Sequence, residues 1–155
     1  MKILLAIDGS PCSEGAVREI CNRPWPPGSE VQIVTAINAP IVPDPFLIGV
    51  MVYEELMERQ RQRAPQILEK AAQQIREATD LKVSMKVLQG SAKDEIVEEA
   101  ERWGADLIVL GSHGYGTVKR FVLGSVSHAV AMHAPCSVEI VRCREDHTAE
   151  KEESA

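Results

Sequence analysis

The sequence predicts an α/β protein: one doubly wound parallel sheet of five strands, in the order 3-2-1-4-5, with helices on both faces. Three observations predict it. Short strand-like runs at 2–7, 30–36, 82–88, 106–110 and 137–142 alternate with longer amphipathic segments at 11–21, about 51–79, 92–103 and 125–133. That alternation requires parallel strands joined by helical crossovers. Ile3-Leu4-Leu5-Ala6-Ile7 and Leu107-Ile108-Val109-Leu110 are apolar throughout, as central strands covered on both faces are. Lys82-Val83-Ser84-Met85-Lys86-Val87 alternates, and Ser137-Val138-Glu139-Ile140-Val141 does so less cleanly, which marks the two edges. Right-handed crossovers then place strands 1 and 4 side by side at the centre.

Each element carries its own boundary signals. Ser10-Pro11 is an N-cap followed by proline at the first helical position, and Pro24, Pro26 and Pro27 lie beyond that helix. The stretch from Pro40 to about Gly49 holds three prolines and reads as a loop. Pro65 predicts a start or a kink near Ala64 in the long helix that follows. Phe46, Leu47, Ile48, Val50 and Met51 make the segment from Pro40 to about Glu58 unusually apolar for a linker. It is expected to be mobile, without regular structure, and either to fold over a ligand at the carboxyl edge of the sheet, the favoured outcome, or to pack on a partner subunit. Ser91 caps the helix at 92–103, Asp94 and Glu95 favour its first turn, Gly104 closes it, and Pro135 ends the last helix. Residues 1–144 form one domain, and 145–155, charged and aperiodic, read as a disordered tail.

Bulk properties exclude several classes. A chain of 155 residues buries roughly two-thirds of its unfolded surface in a single core. With 4% aromatic residues there is little to stack on single-stranded nucleic acid, and a net charge of −6 disfavours nucleic acid or an acidic membrane as partner. No apolar stretch reaches the ~20 residues of a membrane span, and the first strand begins at Lys2, where a signal peptide would lie. The expectation is a cytoplasmic protein. Cys12, Cys21, Cys136 and Cys143 form no CxxC and read as reduced thiols, Cys12 as packing in the first turn of its helix.

Function is written in two stretches that each follow a central strand and open a helix. They are Asp8-Gly9-Ser10 and Gly111-Ser112-His113-Gly114…Gly124-Ser125-Val126-Ser127. Small flexible residues before a helix N-terminus let the backbone approach an anion, with free N–H groups and the positive end of the helix dipole aimed at it. Gly111 and Gly114 are expected to turn the chain against a phosphate, and Ser125 and Ser127 to add hydroxyl donors. A side chain at Gly124 would take phosphate space or forbid the backbone angles. The stretch is not a Walker A loop, because Thr117-Val118 stands where Lys-Ser/Thr is needed. Alone, Asp8-Gly9-Ser10 is a turn and a cap; beside the second stretch it reads as a ligand site. Lys119 and Arg120 are either phosphate partners or solvated loop residues. His113 lacks an evident carboxylate or nucleophile and reads as a ligand contact, whereas His128 and His133 read as surface or packing residues.

On these residues the chain resembles the universal stress protein family, in its ATP-binding subgroup. The matching features are Gly-x-x-Gly, nine residues, Gly-Ser; Asp8-Gly9-Ser10; Gly104-Ala105-Asp106-Leu107-Ile108-Val109; and His133-Ala134-Pro135-Cys136. The resemblance implies a flavodoxin-like, Rossmann-like sheet, a bound adenine nucleotide (ATP, ADP or AMP) with Mg²⁺ only as a companion of the phosphates, and a homodimer through residues 137–142. It implies that Ala6 and Ile7 line the base and that Asp8 contacts the ribose or adenine end. The backbone of Ala36 would read the adenine edge. Gly111, His113, Gly114, Gly124, Ser125, Val126 and Ser127 would surround the ribose and phosphates. The implied function is a dimeric regulatory stress-response protein acting through a protein partner. The alternative is a slow ATP hydrolase or phosphotransferase on the same site, although no water-positioning base or pair of metal-binding acids is evident.

Overall fold

A computed structural model describes residues 1–38, 49–115 and 122–143. Five strands, β1 (Lys2–Ala6), β2 (Glu30–Ile37), β3 (Lys82–Gln89), β4 (Leu107–Gly111) and β5 (Ser137–Val141), form one sheet. Its order is β3-β2-β1-β4-β5, and every pairing is parallel. The helices are α1 (Pro11–Asn22), α2 (Val50–Ala78), α3 (Ala92–Trp103) and α4 (Ser125–His133). Alternation along β1 builds two cores. Ile3, Leu5 and Ile7 pack with Ile20 of α1 and Leu68 and Ile75 of α2. Leu4 and Ala6 face the other way, to Ile96 of α3 and Val130 of α4. The crossovers through α1 and α2 travel one way across the sheet and those through α3 and α4 the other, which puts the reversal between β1 and β4.

Local chemistry sets the boundaries. The Ser10 hydroxyl accepts from Ser13 N at the start of α1, and Gly104 closes α3 in the left-handed region at φ 73°. Ser91 occupies the N-cap of α3 without a side-chain bond, serving through its carbonyl to Asp94 N and Glu95 N. Pro65 does not start or interrupt α2, which runs unbroken from Val50 to Ala78. Ala64, Leu68, Ala71, Ala72 and Ile75 keep one buried stripe. Pro65 and Arg61, whose carbonyl it leaves without a donor, are exposed, so water can take that bond. The start at Val50 also places 50–58 in regular helix, contrary to the loop expected through Glu58; residues 39–48, like the charged tail, lie outside the described set.

Two features near the sheet edges were not foreseen. Cys12 and Cys143 are joined in a disulfide with Cα atoms 4.7 Å apart, which corrects the reading of four reduced thiols. They lie 131 residues apart in sequence, so spacing rules could not connect them. Cys21 and Cys136 are free. On the other half of the sheet, the Glu99 carboxylate of α3 is 2% exposed and is held by Lys86 Nζ of β3 at 2.9 Å and by Arg102. Among the described residues no helix is long and apolar enough to cross a membrane.

Candidate functional site at the sheet reversal

β1 and β4 pair from Ile3↔Leu107 to Ala6↔Leu110, and their chains then part toward opposite faces. The recess this opens encloses about 590 Å³, counting its solvent-facing mouth. One wall is Ala6-Ile7-Asp8, the other Gly111 with His113 and Gly114. Val34, Thr35 and Ala36 of β2 form the floor, while Ala92 and Ile96 of α3 and Val126 and Ser127 of α4 close the far side. The interior is therefore largely apolar, with Asp8, Ser13, Thr35, His113 and Ser127 as polar groups around it.

A small hydrogen-bond network fixes the two walls. Ile7 N donates to Val34 O at 2.9 Å, which holds the end of β1 against β2. Asp8 Oδ1 accepts from Ser10 N at 2.9 Å, and Oδ2 lies toward Gly114, where a Cβ would stand 2.7 Å away. Ser10 Oγ donates across to His113 O at 3.4 Å. The Ser112 carbonyl is the node of the second wall, accepting from Gly124 N at 2.8 Å and from Ser127 Oγ at 2.8 Å. Ser112 N in turn donates to Val141 O at 2.8 Å, which ties the wall to β5. Beyond Gly114, Arg63 of α2 donates to the Tyr115 hydroxyl and lies 5.1 Å over its ring.

The α4 N-terminus opens beside this network with Gly124 as N-cap and no side chain capping it. Its first backbone N–H groups have no intrahelical acceptor and can receive an anion. The resolved shifts in protonation lie elsewhere. Hydrogen bonding to Glu139 raises the Arg23 guanidinium further and holds it protonated, and burial pushes the Cys21 and Cys136 thiols up. The recess combines an apolar slot, one carboxylate at its edge and an electropositive helix end. That set suits a flat heterocycle carrying a hydroxylated, anionic tail.

Of the residues that the family resemblance assigned to the ligand, all but Gly124 and Ser125 line the recess. Gly124 sits behind the second wall, and its φ of −63° is open to any residue, so the expected angular requirement does not hold. The constraint there is space, since a Cβ would meet Ser112 O at 3.1 Å. Gly111 is small for another partner than a ligand: its Cβ would fall 2.7 Å from the Cys12 carbonyl carbon and 2.8 Å from Ser13 N. Ser125 is exposed, and the Ser127 hydroxyl donates to backbone carbonyls rather than outward. Lys119 and Arg120 lie outside the described residues. Sequence reasoning missed Ser13, Val34, Thr35, Leu110, Ala92 and Ile96. The strand-end residues were readable as neighbours of Ala36 and Gly111; the α3 pair was not, because its place depends on how α3 crosses the sheet.

The profile of the Universal stress protein family matches residues 1–142. A universal stress protein of Methanocaldococcus jannaschii is 32% identical over 142 residues, covering 91% of this chain and 81% of its own. Among solved structures, the universal stress protein UspA from Lactobacillus plantarum superposes with a TM-score of 0.76 at 23% identity, over 92% of this chain and 97% of that one. A family protein of Arabidopsis thaliana solved with AMP bound scores 0.68 at 17% identity, over 97% of each chain. The universal stress protein from Archaeoglobus fulgidus in complex with dAMP scores 0.59 at 24% identity, over 91% and 97%.

Proposed function

The chain belongs to the universal stress protein family, and from that premise we propose that it is an adenine-nucleotide-binding regulatory protein that works as a homodimer in the cytoplasm. The observation that carries the reading is the convergence of Asp8 and the Gly111–Gly114 wall on one apolar recess beside the uncapped end of α4. The base occupies the slot over Ile7 and Ala36, the ribose hydroxyls meet Asp8, and the phosphates point toward the first turn of α4. The AMP and dAMP held by neighbours of the same fold support that ligand class. Mg²⁺ is proposed only as a companion of the phosphates.

Binding without fast turnover fits the side chains present. Ser112 Oγ lies 3.1 Å from His113 Nδ1, but Ser112 is 2% exposed and cannot reach a phosphorus atom. β5 ends the sheet with its outer backbone unpaired by any described strand. A second β5 in antiparallel register would cover Val138 and Ile140, which are half-buried. Native mass spectrometry of the freshly purified protein tests both parts at once. The expected result is a dimer that releases AMP, ADP or ATP on denaturation. A ligand-free monomer at micromolar concentration overturns the proposal.

A further inference from the structure

Cys12 is the second residue of α1 and is 1% exposed; Cys143 follows β5 by two residues and is only partly buried. Their bond grips the second wall of the recess from both sides. The Cys12 backbone lies against Gly111, and Cys12 Sγ is 3.8 Å from Ser112 Oγ. From the other side, the strand leading to Cys143 accepts the Ser112 N–H through Val141 O. We propose that the Cys12–Cys143 disulfide is a thiol-exchange site, opened by low-molecular-weight thiols such as glutathione, and that its state sets the placement of the Gly111–Tyr115 wall.

The two sulfurs are unequal in a way that directs the chemistry. An incoming thiolate reaches Cys143 Sγ, not the buried Cys12 Sγ. It forms a mixed disulfide at Cys143, and the electron pair of the broken S–S bond leaves on Cys12. A thiolate at the second position of a helix lies at the positive end of the helix dipole, which makes Cys12 the better leaving group. A second thiolate then attacks the small-molecule sulfur of the mixed disulfide and releases Cys143. The balance is one protein disulfide plus two thiols giving two protein thiols plus one small disulfide; closing runs the same steps backward. Cys21 and Cys136 offer no such pair, and burial holds their thiols protonated.

With the bond closed, α1 and β5 are fixed against Ser112, and Ser10 and Asp8 keep their places opposite His113 and Gly114. With it open, the wall is tied to β5 by backbone bonds alone, among them Ser112 N to Val141 O. The chemical step stands on the sulfur geometry alone, whereas its effect on affinity rests on the nucleotide reading.

The test equilibrates the full chain in glutathione buffers of graded potential, traps thiols by alkylation, and reads mass and hydrogen exchange. The expected result is a two-state passage from four alkylated cysteines to two. Protection at 111–115 is expected to fall at least tenfold on opening, in wild type and equally in Cys143→Ser under oxidising conditions. AMP is expected to bind about tenfold more tightly to the oxidised protein, which by reciprocity lowers the midpoint potential by about 30 mV at saturating AMP. Four alkylated cysteines at every potential overturn the exchange site. A bond that closes without changing protection at 111–115 overturns the coupling. Absence of AMP binding in both states, with the exchange and protection changes intact, overturns the nucleotide reading instead.

Discussion

Two glycines of one motif answer to different neighbours. A Cβ on Gly111 would run into the backbone of Cys12 and Ser13, which belongs to a rigid helix start and cannot retreat. A Cβ on Gly114 would meet the Asp8 carboxylate, the end of a side chain that can rotate away. Gly111→Ala is therefore expected to cost about 1–3 kcal/mol of stability, as overpacking does. Gly114→Ala should leave urea unfolding unchanged within about 0.5 kcal/mol and weaken AMP binding about tenfold, because it displaces the ribose acceptor. Equal effects of the two changes on stability would contradict this assignment. The Gly-x-x-Gly spacing located both positions in the sequence but could not say which glycine serves the fold. Ser127 shows the same limit: its hydroxyl was legible as a donor, while its acceptor, the Ser112 carbonyl fifteen residues earlier, exists only once the loop has closed.

Elements were legible wherever hydrophobic period and cap chemistry agreed. β1 and β4 announced their central places by unbroken apolar runs, and α1 and α3 by a cap at one end and a stop at the other. Pro65 does not start α2: a proline rule weighs the lost bond without knowing which side of the helix faces water. The ion pair joining β3 to α3 was invisible for the converse reason. Lys86 and Glu99 are ordinary edge and helix residues until packing buries one of them. Their contributions are unequal. Lys86→Met leaves a buried carboxylate with Arg102 alone and is expected to cost about 2–3 kcal/mol, somewhat below the loss when a buried charge has no second partner. Glu99→Gln frees two cations that are 39% and 61% exposed and readily rehydrate, so its cost should stay under about 1 kcal/mol. Urea titrations of the two variants check the order, and a larger loss for Glu99→Gln would refute it.

For the whole molecule, strand order and helix sidedness followed from a handful of patterns because the crossover rule leaves few alternatives. Long-range chemistry did not, since nothing in the sequence brings position 12 beside position 143. That covalent contact makes the domain a closed ring with short ends: β1 leads into it at Cys12, and the chain leaves it at Cys143. Force applied to the two termini runs along β1 and then through the sulfur atoms, so residues 13–142 lie outside its path and tension never loads the β4–β5 ladder. In single-molecule extension the closed protein should show no unfolding step from residues 13–142. Adding a reductant should release about 470 Å of hidden length, the contour of 131 residues at ~3.6 Å each. A cellular machine that threads proteins from one end would meet the same constraint. It would have to draw two strands at once through its pore, or wait until a thiol had cut the ring.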